Sequence, residues 1–197
     1  MSKSEIALID VLEQVDKCRL CAPYLPHTPR PVLRAAESAR LLIIGQAPGT
    51  KVHASGIPWD DRSGERLRDW LGITPAIFYD EKRVAIMPMG FCYPGKGRSG
   101  DLPPRPECAP QWHAQVLATM PDIRLTLLIG QYAQRYYLGK PFTSLTDTVK
   151  NWPLHLPRFF ALPHPSPRNQ AWRKYNPWFE TEVVPELQRR IKVCLGE

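Results

Sequence analysis

Four short apolar segments constrain the fold of this chain more than any other feature. They comprise residues 39–45, 83–89, 124–130 and 158–165. Each is a nearly continuous apolar run, the pattern of a strand buried on both faces of a parallel sheet. Segments with helical signals lie between them, and strands that alternate with helices favour a parallel sheet covered on both faces. We therefore expect an α/β fold, three-layer α/β/α, with a central four-stranded parallel sheet.

The other segments divide into predicted helices and loops. Apolar spacing, a cap at Ser63 and a stop at Gly72 place the helices. Helices are expected at 4–17, 63–72, 109–119, 131–138 and 177–194. Gly and Pro interrupt 46–62 and 90–106, which predicts loops, with no regular element in 90–106. No internal repeat is present, so residues 1–197 are expected to form a single domain with an N-terminal helix.

Composition limits the classes of protein to consider. Hydrophobic residues make up 43% of the chain, which predicts a folded, water-soluble core. No apolar stretch reaches 18 residues and the first residues lack a signal-peptide pattern, so a cytoplasmic protein is expected. The net charge of +7 suits a polyanionic partner, although charge alone fits a merely basic protein equally well. Basic residues gather in 96–105 and 168–174, which are loops that could touch phosphates.

Each predicted strand ends in a distinctive loop. The loops are GQAPG, GFCYPG, GQYAQ and HPSPRN. In an open parallel sheet, ligands bind at the carboxyl ends of the strands. We therefore expect these four loops to converge on one site.

Two of these loops carry a family resemblance. GQAPG (45–49) directly follows the first strand and HPSPRN (164–169) directly follows the last. Either motif alone is weak, but their pairing, order and strand context resemble the uracil-DNA glycosylase superfamily, from Cys18 to about Phe179. The resemblance implies a four-stranded parallel sheet between helices. It also implies a monofunctional DNA glycosylase that flips uracil or another deaminated base out of DNA and hydrolyses its N-glycosidic bond.

The chemistry of that reaction explains the residue types that the resemblance assigns. A hydrogen-bond donor is needed on the base carbonyl oxygen, where negative charge develops, and His164 of HPSPRN matches it. In the family an aromatic side chain stacks on the flipped base, and Trp59 matches that aromatic; a tryptophan of the core is the alternative. The resemblance assigns substrate contacts to Gly45, Gln46, Ala47, Pro48, Gly49, Trp59 and Ser166, and DNA contacts to Pro165, Pro167, Arg168 and Asn169.

The reaction also needs an anion beside the sugar, to activate water or to stabilise the cation. Family members place Asp or Glu inside the first motif, where this chain has Ala47 and Gln46. The segment from Gly56 to Gly64 resembles the F-T-G-D-x-S-G segment of family 5, and alignment on its Ser-Gly puts Asp61 on the catalytic acid. Asp60 is the second choice, and a helix-capping role is the alternative for either residue.

Two departures point to a looser choice of base. Family 1 has a Tyr where this chain has Gly49, and uracil-specific members have an Asn where this chain has Pro88. Hypoxanthine and xanthine are therefore candidates beside uracil. His53 and the backbone of Met89 and Gly90 are expected to supply replacement contacts.

Five cysteines are present, an odd number that argues against a disulfide framework in a reducing compartment. Metal binding or inert burial remains. Cys18 and Cys21 form a C-x2-C pair, and Cys92 and Cys108 follow at the spacing of the iron–sulfur members of families 4 and 5. That resemblance implies a [4Fe–4S] cluster on the four thiolates, with zinc as the alternative.

Three rival functions are considered; the missing acids motivate the first, and His53 is the candidate residue for the second. The chain could be a non-catalytic damaged-DNA-binding protein with a structural cluster, or a relative that traps the sugar covalently, although the K-R-R-I-H insert of such traps is absent. A small-molecule nucleotide hydrolase ranks last, because it would not need the basic, Pro-rich loop. Damaged DNA is the expected partner, with no membrane and no obligate protein partner, and a monomer is expected.

Overall fold

The protein is described here as a computed structural model that covers residues 7–98, 100–139 and 143–197. Its main sheet contains four parallel strands. In the described part of the chain the strands are, in order, β1 (Leu41–Ile44), β2 (Val84–Ile86), β3 (Lys96–Gly97), β4 (Gly100–Asp101), β5 (Leu125–Ile129) and β6 (Phe159–Leu162). The main sheet has the order β2-β1-β5-β6, and β3 pairs with β4 in a separate antiparallel hairpin.

Helices lie between the strands along the chain. They are α1 (Leu8–Asp16), α2 (Thr50–Ser55), α3 (Arg62–Leu71), α4 (Pro75–Phe78), α5 (Cys108–Ala118), α6 (Gln131–Leu138), α7 (Leu145–Lys150), α8 (Gln170–Tyr175) and α9 (Val184–Leu195). Among the described residues, 3₁₀ turns occur at Ala22–Tyr24, Trp152–His155 and Pro167–Asn169, and a π-helical segment at Phe179–Val183 leads into α9.

The strands separate two apolar cores because successive side chains point to opposite faces of a sheet. Leu41 and Ile43 face one core with helices α3, α7 and α9, while Leu42 and Ile44 face the other with α1, α5 and α6. All four residues are fully buried. The predicted α/β/α architecture with a central four-stranded parallel sheet is thereby confirmed.

Several local predictions need correction. Asp61, not Ser63, is the N-cap of α3, since its carboxylate accepts the Gly64 N–H at 2.8 Å. The segment 46–62, expected to be a loop, contains α2. The segment 90–106, where we expected no regular element, contains the β3–β4 hairpin. The C-terminal helix begins with a π-helical turn. The first three residues of the helix expected at 4–17 lie outside the described residues.

Within the described ranges, no helix is both long enough and apolar enough to span a membrane.

Candidate active site

A cavity of about 480 Å³ opens at the carboxyl ends of the main-sheet strands. Residues that follow β1 and β6 line it, and so do Ile86 of β2 and Pro88 just after that strand. The lining comprises Val32, Gly45, Gln46, Ala47, Pro48, Gly49, Val52, Pro58, Trp59, Asp61, Ser63, Ile86, Pro88, Asp101, His164, Ser166, Pro167, Arg168 and Asn169. The two motifs that the sequence singled out therefore meet at one site, together with Trp59 and Asp61. The loops GFCYPG (90–95) and GQYAQ (130–134) contribute no residue to this lining, so two of the four loops expected to converge do so.

The orientation of His164 is fixed by its own loop. The backbone N–H of Ser166 donates to Nδ1 of His164 at 3.2 Å, and the Asn169 amide donates to the His164 carbonyl oxygen at 2.8 Å. Since Nδ1 accepts a hydrogen bond, the proton of a neutral ring resides on Nε2. Burial lowers the pKa of His164, while the negative charge of Asp61 opposes that shift. The neutral ring is thus favoured near pH 7, with Nε2–H as its donor.

Trp59 contacts both motifs. Its ring lies 5.6 Å from the His164 ring, measured between centroids, and a β-carbon on Gly45 would come within 2.8 Å of it. Trp59 adopts a left-handed backbone conformation with φ of 59°, which costs energy for a residue with a side chain. Its carbonyl oxygen accepts weak hydrogen bonds from Arg68 and Tyr79, and Gly64 leaves the space that this oxygen needs.

The two adjacent aspartates have different positions. Asp61 lines the cavity and is close enough to His164 to affect its protonation. One of its oxygens caps α3, so the capping role exists alongside the position in the cavity. Asp60 is exposed and does not belong to the cavity lining.

The HPSPRN loop turns back on itself beside the cavity. Ser166 caps a 3₁₀ turn through its hydroxyl, which accepts the Arg168 N–H at 3.2 Å. Pro165 is buried, whereas Pro167 and Arg168 are exposed at the rim. The Arg168 guanidinium packs directly against Gly100 of the hairpin, because a β-carbon there would overlap it. Asn169 is engaged with the His164 carbonyl, so its amide braces the loop.

Pro88, one of the lining residues, is hydrogen-bonded to a buried histidine. His113 Nε2 lies 3.1 Å from the Pro88 carbonyl oxygen, and its Nδ1 lies 2.6 Å from the Tyr137 hydroxyl. Since a carbonyl only accepts, Nε2 carries the proton and Nδ1 accepts from Tyr137. Burial lowers the pKa of His113 to about 4.

The replacement base contacts expected from the sequence are engaged elsewhere. The N–H groups of Met89 and Gly90 donate to the carbonyls of Gly45 and Gln46, at 2.9 and 3.0 Å. His53 is absent from the cavity lining and lies instead in a separate open groove with His27 and Arg30. The N–H groups of Met89 and Gly90 are engaged because the chain after β2 continues to pair with the chain after β1.

Asp101 is a lining residue that sequence reasoning missed. It lies at the end of the β3–β4 hairpin, in register with Lys96. Gly97 and Gly100 pair with each other across the hairpin, whereas the known hairpin signal is Gly or Asn at the turn positions themselves. Two strands of two residues each, in a Pro-rich segment, therefore offered no pattern from which to predict this position.

The four cysteines of the predicted cluster lie near one another. Burial raises the pKa of Cys108 to about 12 and that of Cys92 to about 11, and in both cases the charges of Cys18 and Cys21 add to the rise. Cys108 also accepts the Phe91 N–H at 3.3 Å. In the described part of the chain, no three His, Cys, Asp or Glu side chains converge tightly enough to hold a single metal ion. Cys194 is remote from this group and contacts the Arg40 carbonyl.

Comparison with known proteins agrees with this arrangement. A family model of the uracil DNA glycosylase superfamily matches residues 33–188. A type-4 uracil-DNA glycosylase from Sulfurisphaera tokodaii is 24% identical over 143 residues, which cover 71% of this chain and 63% of that relative. The chain thus matches less than two thirds of that relative's length. Because the family match includes most of the chain and both motifs of the cavity, the chain belongs to the uracil DNA glycosylase superfamily.

Proposed function

We propose that this protein is a monofunctional DNA glycosylase of base-excision repair. It flips uracil or another deaminated base out of DNA and hydrolyses the N-glycosidic bond. The observation that carries the proposal is the placement of Asp61 and of His164, with its proton directed to Nε2, in one cavity beside Trp59. The superfamily match supports the same class of reaction.

The cavity suits a single flipped base. Its volume of about 480 Å³ is within the usual range for small-molecule sites. The Trp59 ring offers a stacking surface that offsets part of the cost of removing a base from the duplex. Gly45 is required beneath this ring, since any β-carbon would push against it.

Charge separation in the reaction matches the two polar side chains. As the bond from C1′ to the base nitrogen breaks, its electron pair moves to the base and positive charge develops on the sugar. His164 Nε2–H donates to the base oxygen where negative charge grows, and the Asp61 carboxylate stabilises the sugar cation. A neutral histidine is an adequate donor here, and its proton does not have to be transferred.

The range of substrates is expected to extend beyond uracil. Pro88 offers no side-chain amide to read a pyrimidine edge, and the N–H groups of Met89 and Gly90 are engaged. Gly49 has no side chain, so the aromatic ring that family 1 carries at this position is absent. Hypoxanthine and xanthine are therefore candidates alongside uracil.

Contact with DNA is assigned to the rim of the cavity. Pro167 and Arg168 are exposed there, and Ser166 lies between them and His164. Pro165 and Asn169 support this loop from within. The net charge of +7 supports binding to a polyanion. Cytoplasmic location and a monomeric state stay predictions from the sequence.

A [4Fe–4S] cluster is proposed on Cys18, Cys21, Cys92 and Cys108. The four thiols interact electrostatically with one another, which supports a shared site. Four cysteines could equally bind a zinc ion, and the spacing shared with the iron–sulfur members of the superfamily favours the cluster. The cluster would supply structural cross-linking of the N-terminal segment to the loop before α5.

Iron and sulfide analysis of the purified protein tests this cofactor. Cys108→Ser is expected to lose iron and the broad visible absorbance of a cluster, while Cys194→Ser is the matched control and should retain both. Zinc in place of iron would contradict the cluster and favour the alternative ion.

The activity is tested with labelled oligonucleotides that carry uracil, hypoxanthine or xanthine. Alkali cleaves any abasic site, so strand scission reports base excision. We expect wild-type protein to act on at least one substrate, and Asp61→Asn and His164→Leu to lose roughly 10²-fold or more in rate. DNA binding without any scission would contradict the glycosylase and favour a binding protein, and a covalent protein–DNA band would favour a trap.

A further inference from the structure

Asp101 is the second carboxylate of the active-site cavity. It is found on the β3–β4 hairpin, between Cys92 and Cys108 in sequence, and it lines the cavity together with Asp61. It is exposed, whereas Asp61 is half-buried. No other aspartate or glutamate belongs to the described lining.

The Asp101 side chain lies directly over the GQAPG loop. A β-carbon on Gly49 would lie 3.3 Å from Oδ2 of Asp101. The hairpin is tied to the same loop by a hydrogen bond from the Gln46 amide to the Leu102 carbonyl, at 3.4 Å. GQAPG carries no carboxylate of its own. The fold thus brings a carboxylate to this loop from a distant part of the sequence.

The surroundings of Asp101 leave most of the hydrogen-bonding positions of its carboxylate open. Its one hydrogen bond within the described residues comes from the Tyr93 hydroxyl, at a long 3.5 Å. Tyr93 in turn accepts from the Thr50 hydroxyl at 3.1 Å, so the contact fixes the direction of the side chain. Exposure gives water direct access to the remaining oxygen positions.

Asp61 differs from Asp101 in its hydrogen bonding and in its exposure. One of its oxygens is committed to the Gly64 N–H at 2.8 Å, at the positive end of α3, and its charge acts on His164. This arrangement suits a fixed negative charge beside the sugar. Two carboxylates in different environments can therefore divide two tasks.

We infer that Asp101 is the general base that activates the attacking water, while Asp61 acts as the fixed anion. This inference rests on the proposed glycosylase function. The water oxygen bonds to C1′ as the bond from C1′ to the base breaks, and the electron pair of that bond leaves with the base. One water proton passes to the Asp101 carboxylate and then to the departing base or to solvent. The products are an abasic site and the free base.

Single-turnover excision with isosteric and truncated variants tests this role. Asp101→Asn is expected to lower the rate by about 10²-fold, within the usual contribution of a general base. DNA affinity and the thermal midpoint should be unchanged. Asp101→Ala should lose a similar factor, and added formate should restore part of its rate by replacing the missing carboxylate. Asp122→Asn is the matched control, because this exposed residue precedes β5 at the opposite end of the sheet.

The outcomes separate the two proposals. Wild-type activity together with full activity of Asp101→Asn overturns the general base and retains the glycosylase. Loss in both Asp101 variants without rescue by formate also overturns it, since only positioning of the hairpin would then be affected. A wild type that excises none of the three bases overturns the proposed function itself.

Discussion

The backbone N–H of Ser166 points at Nδ1 of His164 from 3.2 Å, two residues away in the same loop. This contact decides which nitrogen of the ring carries the proton, because a backbone N–H can only donate. Burial, which lowers the pKa of His164, keeps the ring neutral. A short-range contact in the HPSPRN motif therefore determines that His164 has its N–H donor at Nε2.

Replacing Ser166 by proline removes this hydrogen bond and puts the ring Cδ where the amide hydrogen faced Nδ1. Ser166 has φ of −55°, which proline can adopt, so the change removes the N–H and leaves φ intact. Ser166→Ala is the matched control, since both variants lose the hydroxyl and only one loses the N–H. We expect Ser166→Pro to excise roughly tenfold more slowly than Ser166→Ala, the factor for about 1.4 kcal/mol. Equal rates would show that the tautomer does not depend on this contact.

Gly64 protects the unusual conformation of Trp59. An alanine in place of a helical glycine usually stabilises a protein by up to about 1 kcal/mol. At this position a β-carbon would lie 1.8 Å from the Trp59 carbonyl oxygen, so the segment has to move. We expect Gly64→Ala to lower both the thermal midpoint and the excision rate. Glu65→Ala, on the exposed face of the same turn, should leave both unchanged, and a more stable Gly64→Ala protein would contradict this account.

The main sheet could be predicted because its strands are local and wholly apolar. Runs such as 124–130 contain enough information to identify a buried strand, and β5 lies within it. The hairpin escaped prediction because β3 and β4 have only two residues each, and their pairing depends on contacts with Arg168 and the GQAPG loop. Short helices such as α2 and α7 also depend on tertiary packing more than on their own pattern.

The candidate site could be predicted only where a motif carries it. His164 and the GQAPG loop follow strands directly, so the topology of the sheet brings them together. Asp101 and His113 carry no such signal, because their roles arise from contacts between segments distant in the chain. For Asp61 the sequence offered catalysis and helix capping as alternatives. In the structure its carboxylate both lines the cavity and caps α3. That residues 1–197 form a single domain stays a prediction.

His113 makes the stability of the protein depend on pH. Its pKa of about 4 in the native state lies below the ordinary value of 6.5, because the buried ring is desolvated. Below pH 6.5 the unfolded chain binds a proton at this residue and the native state does not, so stability is lost as pH falls from about 6.5 to about 4. The shift corresponds to about 3 kcal/mol of unfolding free energy.

Denaturant unfolding at a series of pH values checks this dependence. His113→Phe should be less stable than wild type at pH 7.5, because the Pro88 carbonyl and the Tyr137 hydroxyl lose their partner. Its unfolding free energy should fall less steeply in acid, because the variant has no titrating group at this position. It should still fall, because other histidines whose pKa burial lowers, such as His164, are present. Parallel curves for the two proteins would assign the acid sensitivity to other groups.

Arg168 should contribute to DNA affinity without reading sequence. It is exposed at the rim of the cavity, and its guanidinium is oriented by contact with Gly100. Neutralising one DNA phosphate releases condensed counterions, so the slope of log affinity against log salt should shrink by about 0.9 in Arg168→Ala. Arg124→Ala is the control, because Arg124 is exposed just before β5, at the amino ends of the strands and away from the cavity. Fluorescence anisotropy over a range of salt concentrations measures both slopes. A slope unchanged in Arg168→Ala would mean that the side chain acts only within the protein, by bracing the hairpin against the HPSPRN loop.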